Sequence, residues 1–355
     1  MKHPWLKSMK NLWFEQGAFV TKKARNYITS DLCPKKVRKI TVIRHAALGD
    51  QVILRPFLVE ARRFFPNATI TLVGVSHYQY GMPYDLVDQT HIMLGKSKDV
   101  SSGLKARLAN IKALGEQDII FDLAGTNRSY WMTFLTKAKL KVGFPYRSLH
   151  RGTLYNLCVL RSDFQAEVET MLDMLRVLGH NPPRRLDFAY PDNQDFCNKS
   201  APFILYFNGA SQLRKVLSKE QMRDVIEKSI KALPNVRHIY LEGKNDFEKG
   251  DYLEYLTKQH THFTIQPCLE LDKLVQLIAQ SSLLVAPDTG VRNIGISTHT
   301  PTVGIFFSTV PFRYTPRYED HYIVMRDDAT VPSSDEIVDT IRQAIRCGNP
   351  IKMLN

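Results

Sequence analysis

One pattern constrains this chain more than any other: a short apolar run, a tight loop, then a helix, repeated from residue 40 nearly to the end. "ITVIR" at 40–44 and "TITLVGV" at 69–75 are rich in β-branched residues and flank the helical stretch "VILRPFLVEARRFF" at 52–65. That is a βαβ unit, whose crossover demands parallel strands covered on both faces. A basic helix at 103–115, a strand at 118–125, a helix at 129–138 and a strand at 141–144 continue the alternation, and a helix at 167–180 closes at Gly179. Prolines and weak periodicity mark a linker over 186–202. Beyond it strands at 203–207, 237–243, 262–266, 283–286 and 302–307 alternate with helices at 218–233 and 269–280, a short one after Asp288, and one at 334–348.

At 355 residues the chain exceeds one ordinary core. The expected fold is α/β: two Rossmann-like, doubly wound parallel-sheet domains facing across a cleft. The expected boundaries are a basic amphipathic arm at 1–39, an N-terminal acceptor domain at 40–185, the linker at 186–202, a C-terminal donor domain at 203–333, and a closing helix at 334–355 that could cross back to the first domain.

Charge is uneven. Residues 1–39 hold ten Lys and Arg against Glu15 and Asp31, about +8 of the chain's net +13. Trp5, Leu6, Met9, Leu12 and Trp13 share one helical face there. Such a helix suits an anionic membrane surface, or packs on its own domain with a solvated basic side. No stacking platform accompanies the basic residues, so nucleic acid is not the expected partner. No run of about 20 apolar residues spans a bilayer, and the start lacks the apolar core of a signal peptide. Five cysteines without a CxxC pair argue against a disulfide framework or structural zinc and suit a reducing cytoplasm.

Chemistry concentrates at strand-end loops. Asp50 follows "HAALG". An Asp before a helix is commonly an N-cap, but small residues leading to a carboxylate at a cleft mouth also suit a general base. Asp288, in "PDTG", invites the same capping reading, while the Thr289 and Gly290 amides make an anion site at a helix start. In "NGASQLRK", Ser211, Arg214 and Lys215 offer donors to a phosphate, although Lys215 alone reads equally as a surface lysine. No Asp lies two residues from another, so a metal-binding DxD is absent. Cations and a helix dipole, with no metal and no cofactor, would then steady a departing diphosphate. His45 is either an acceptor contact or a turn residue.

Four segments resemble the bacterial ADP-heptose:lipopolysaccharide heptosyltransferases of glycosyltransferase family 9, which have the GT-B fold. They are residues 40–73 with their Leu-Gly-Asp, 121–144 with "DLAGTNRS" and a Gly-Phe strand, 207–225 with "GAS…K", and 271–309 with Asp-Thr-Gly. The resemblance implies an inverting, metal-independent transfer of heptose from ADP-heptose to the lipopolysaccharide inner core. It assigns Asp50 as base, Lys215 (or Arg214) to the donor phosphates, Asp288 to sugar hydroxyls, and Thr289 and Gly290 to the diphosphate. It places Glu248 near the nucleotide ribose. A His usual in the family is replaced by Asn293, with Arg292 beside it, and an aromatic-proline pair by "VL" at 216–217. The implied partners are a nucleotide-sugar donor, a lipid A–core oligosaccharide acceptor and an anionic membrane reached through residues 1–39. Arg128, Arg147 and Arg151 are candidate acceptor contacts. The implied location is cytoplasmic, peripheral on the inner face of the inner membrane. Two rival readings are a nucleotide-sugar epimerase that needs no acceptor and a nucleotide-sugar-binding protein with an altered site.

Overall fold

The structure, a computed structural model, describes residues 19–94, 103–145, 151–162, 164–196, 202–316 and 320–348. Arg147, the apolar face at Trp5–Trp13, and Cys197 lie outside the described residues. The chain forms two compact units, Met1–Ala189 and Tyr190–Asn355.

In the first unit the strands are β1 (Phe19–Val20), β2 (Lys39–Ile43), β3 (Thr69–Gly74), β4 (Gln89–Ile92), β5 (Gln117–Asp122), β6 (Ala138–Gly143) and β7 (Leu157–Cys158). The helices are α1 (Lys22–Asn26), α2 (Leu48–Phe64), α3 (Leu104–Ala113), α4 (Asn127–Leu135) and α5 (Glu167–Arg176). The sheet order is β1-β7-β6-β5-β2-β3-β4, parallel except where β1 joins β7. Ile40, Val42 and Ile43 of the central strand are fully buried, as strands covered on both faces require. Helix α2 buries Val52, Leu54, Phe57, Leu58 and Ala61, and Phe57 meets Phe121 edge to face at 5.2 Å.

The chain leaves β2 toward β3 and β4, then returns to build β5 and β6 on the other side. The crevice between β2 and β5 is therefore the switch point, where open α/β sheets bind ligands.

The second unit repeats this plan. Its strands are β8 (Phe203–Tyr206), β9 (Arg237–Leu241), β10 (Phe263–Gln266), β11 (Leu283–Pro287), β12 (Thr302–Ile305) and β13 (His321–Val324). Its helices are α6 (Lys219–Ala232), α7 (Glu254–Gln259), α8 (Leu271–Gln280), α9 (Gly290–Ser297) and α10 (Ser334–Gly348). All pairs in the sheet, ordered β10-β9-β8-β11-β12-β13, are parallel, with the switch point between β8 and β11.

Three boundaries differ from expectation. Phe19 and Val20 add a strand to the first sheet, and Ala24 and Val37 are buried, so only the residues before Phe19 can form a separate arm. The linker is shared out. Leu186 and Phe188 are buried in the first unit, where the Phe188 carbonyl accepts from Arg55 Nε at 2.6 Å. Asn193 is tied into the second, its amide nitrogen donating to the Ala279 and Ser281 carbonyls. Helix α10 stays with its own unit: Ile337, Val338, Ile341 and Ile345 join the core of β8, β11 and β12.

Candidate active site

In the first unit the structure rejects the capping reading of Asp50. Helix α2 begins earlier than the sequence pattern indicates, at Leu48, with Ala47 at the N-cap position and no side-chain cap. Asp50 thus lies inside the first helical turn, where the helix dipole favours negative charge. Its Oδ1 accepts from Arg44 at 2.6 Å. Its Oδ2 has no partner among the described residues, and the side chain is 29% exposed.

Arg44 terminates the buried strand β2 and is itself buried. It also donates to the Leu123 carbonyl at 2.8 Å and to Glu167 at 3.1 Å, and Glu167 is gripped by Arg161 at 2.6 Å. Burial opposes the guanidinium charge, but Asp50 and Glu167 more than offset it and raise its pKa. This network joins β2, the end of β5 and the start of α5, and it fixes the Asp50 carboxylate across the switch point.

The other side of the crevice is built from "FDLAGTNRS". Buried Asp122 accepts the Ala124 and Gly125 amides at 3.0 Å and the Tyr155 hydroxyl at 2.7 Å, and burial raises its pKa. The turn it folds delivers Thr126 to the N-cap of α4, with a reciprocal capping box to Ser129. Thr126 Oγ1 is also 2.8 Å from His45 Nε2. His45 lies in the loop between β2 and α2. Burial, then Arg128 and Arg44, push its pKa down to about 4, so the ring is neutral at physiological pH. Arg128, on the first turn of α4, is close enough to exert this effect. Arg151 lies elsewhere, bridged to Tyr155 and close to Cys158.

In the second unit the loops after β8 and β11 meet. Lys215 Nζ donates to Asp288 Oδ2 at 2.5 Å, and both side chains are largely buried. Lys215 is therefore not a solvated surface lysine, and Asp288 is not the cap: Thr289 holds that position, without a side-chain cap bond. The amide groups of the first turn of α9, from Gly290 on, are left for an anion. Arg214 points the other way, its Nε donating to Gln212 within its own exposed loop. Ser211 is exposed.

Glu248 lies across the ends of β8 and β9. A Cβ on Gly209 or Gly243 would stand 2.4 or 2.0 Å from its carboxylate oxygens, so a side chain at either position would displace the carboxylate. Its Oε2 accepts from the Asn245 amide at 2.9 Å. Asn293 is buried next to this loop system on α9, and its Oδ1 has no partner among the described residues. Arg292 is fully buried and turns away, donating to Thr315 Oγ1 at 2.9 Å and stacking on Phe306 at 5.0 Å. Burial lowers its pKa to about 10.

Sequence reasoning missed Arg44, Glu167, Arg161 and Thr126. The signal for Arg44 was present: a charge that directly follows a buried strand is itself buried only when paired.

Two sheets of this topology, each with polar groups gathered at its switch point, define an α/β protein of the GT-B type. Comparison with known proteins gives the particular family. Residues 107–339 match the model of glycosyltransferase family 9 (heptosyltransferase), and the chain belongs to that family and is a glycosyltransferase. A curated relative, the lipopolysaccharide core heptosyltransferase OpsX of Haemophilus influenzae, is 21% identical over 79% of this chain and 82% of its own. Among solved structures, a family 9 glycosyltransferase from Veillonella parvula superimposes with a TM-score of 0.67 at 20% identity, covering 89% of this chain and 98% of that one. The heptosyltransferase WaaC of E. coli, solved with ADP-2-deoxy-2-fluoro heptose, gives 0.64 at 16%, covering 87% and 99%.

Proposed function

We propose that this chain transfers a heptose from ADP-heptose to the inner core of a lipopolysaccharide acceptor, with inversion and without a metal. The observation that carries the proposal is the state of Asp50: one carboxylate oxygen is anchored by a buried arginine, while the other is unpartnered at the switch point. An anchored carboxylate with one open oxygen is what a general base requires. The acceptor O–H bond breaks with its proton passing to Asp50 Oδ2. The acceptor oxygen bonds to the anomeric carbon, and the bond from that carbon to the phosphate oxygen breaks with its electron pair leaving on the diphosphate. Attack from the face opposite the leaving group inverts the centre.

In the second unit Lys215 and the amides of Thr289 and Gly290 stabilise the departing diphosphate, and Asp288 holds sugar hydroxyls. The Lys215–Asp288 pair supports this, since it keeps a cation and an acceptor ready beside a helix start. Glu248 and Asn293 complete the donor pocket. The identity of the sugar and acceptor follows the names of OpsX and WaaC.

Transfer from ADP-heptose to a core acceptor tests the reading. Asp50→Asn lowers kcat by roughly 10²–10⁴-fold with little change in the melting temperature. Chelation by EDTA leaves the wild-type rate unchanged. A variant that keeps near-full transfer would remove Asp50 from its role.

We also propose that the enzyme works at the inner face of the inner membrane. Lys22, Lys23, Arg25, Lys35 and Lys36 are exposed and extend the basic character of the preceding residues. The chain is expected to sediment with vesicles rich in anionic lipid and to be released by about 0.5 M salt; equal binding to neutral vesicles would count against it.

A further inference from the structure

The first turn of α9 carries a cation where a cation is least expected. Arg292 is fully buried, and it is the third residue of a helix whose start favours negative charge. Among the described residues no carboxylate pairs with it. Its guanidinium donates instead to the Tyr314 carbonyl at 3.2 Å and the Thr315 hydroxyl at 2.9 Å, and it stacks on Phe306 at 5.0 Å. Its Nε has no partner among the described residues. Gly304 makes room for it, since a Cβ there would stand 2.4 Å from Nε. The guanidinium still stays charged at neutral pH, because burial lowers its pKa only to about 10. A buried charge without a partner is costly, so a chain that keeps one gains something by it.

Two features place that charge beside the donor loops. Asp288 stands four residues earlier, and its charge opposes the effect of burial on Arg292. Strands β11 and β12 pair with Pro287 opposite Ile305, so the loop that leads to Tyr314 and Thr315 leaves the sheet next to Asp288. Asp288 is also in contact with Lys215, at 2.5 Å. It thus serves two cations. His321 of β13 also lies near Arg292, and burial, then that cation, keep its ring neutral.

We propose that Arg292 is a positioning residue for the donor: it remains as countercharge to Asp288, so that Lys215 can leave Asp288 for the phosphates of a nucleoside diphosphate. Without it, release of Lys215 would leave Asp288 a buried carboxylate with no cation, and Lys215 would stay where it is. Arg292 itself never touches the ligand. Its fork ties the loop after β12 to the start of α9, and its charge decides how readily Lys215 moves. The inference rests on the function proposed above, in which Lys215 meets the diphosphate, and it adds the group that sets Lys215 free.

ADP binding to the full-length protein, measured by calorimetry, tests this through a double-mutant cycle. Lys215→Met alone is expected to weaken ADP binding about tenfold or more. Arg292→Met is expected to weaken it by a similar factor. Adding Lys215→Met to that variant should then change it by less than about threefold, since Lys215 is already lost to the ligand. Methionine replaces buried arginine without loss of fold in known cases, and a melting curve checks this. Losses that multiply would overturn the inference. Two further variants separate the charge from the loop tie. Arg292→Lys keeps the charge, Thr315→Val removes the loop bond, and both are expected to bind ADP within about threefold of the wild type. A loss of about tenfold in either would assign Arg292 to holding the loop alone and overturn the inference, even where Arg292→Met does not fold. Unchanged ADP binding in Lys215→Met would instead remove Lys215 from the diphosphate, and the donor assignment above would fall together with the inference.

Discussion

At the scale of single residues, the two acidic side chains at the strand ends are held by cations rather than by helix amides. Asp50 is fixed by Arg44, and Asp288 by Lys215. The difference matters because a carboxylate turned back onto its own helix amides is aimed away from a ligand in front of the strand end. Lys215 and Arg214 are adjacent in sequence, yet only Lys215 reaches Asp288. Lys215→Met should therefore lower donor kcat/KM by about 100-fold or more, as loss of a cation facing a leaving group does. Arg214→Gln should change it by less than about threefold, like other exposed charges. Steady-state kinetics against varied ADP-heptose checks both, and equal losses would reassign the phosphate contact to the loop as a whole. The side-chain types at both sites were legible in the sequence; which neighbour each would meet was not. Arg44 and Glu167 are 123 residues apart, and only the packing of α5 against α2 brings them within 3.1 Å.

At the scale of elements, long apolar strands and amphipathic helices were readable because their periodicity is local. The short pieces β1, β4, β7 and β13 were not, having only two to four residues each, too few to show a period. Their pairing partners, not their own propensities, make them strands. The start of α2 was placed late for a related reason. Ala47, Leu48 and Gly49 look like loop residues until helix packing recruits them.

Two strands of the second sheet also carry neutral histidines, His238 fully buried and His321 half-buried. His238 Nε2 donates to the Leu233 carbonyl, and its Nδ1 accepts from the Tyr206 hydroxyl. Burial lowers its pKa to about 4, and that of His321, again by burial and then by Arg292, to about 3. The folded rings bind a proton less readily than the unfolded chain, whose histidines titrate near 6.5. Stability contributed by these rings is thus complete above pH 6.5 and is lost as pH falls from there toward 4 and 3. Urea unfolding between pH 7 and 4 should show a decline to which His238 contributes about 3 kcal/mol, a share missing from a folded His238→Phe variant. The variant keeps the decline due to His321, so an undiminished total decline would place the acid sensitivity away from His238.

At the scale of the whole molecule, the chain is one architectural idea used twice, with strand-end loops at each switch point carrying the polar groups. Trp131, the one tryptophan among the described residues, belongs to the first unit, whereas the proposed donor ligands belong to the second. ADP at about 100 times its Kd should therefore stabilise the second unit by about 2.7 kcal/mol, a shift read in the circular-dichroism melt, which follows both units, and not in the tryptophan-fluorescence melt. A shift seen only in tryptophan fluorescence would assign the nucleotide to the first unit instead. The sequence by itself determined the α/β class, the repeated strand–loop–helix plan, and the acidic and basic residues at the loops, because these follow from periodicity and residue type over a few neighbouring positions. Tertiary structure alone decided that Asp50 is anchored by a buried arginine, that Lys215 rather than Arg214 meets Asp288, and that Arg292 is buried against Phe306. Each of those depends on which distant segments pack together, and packing is settled by the summed burial of the whole core rather than by any local signal.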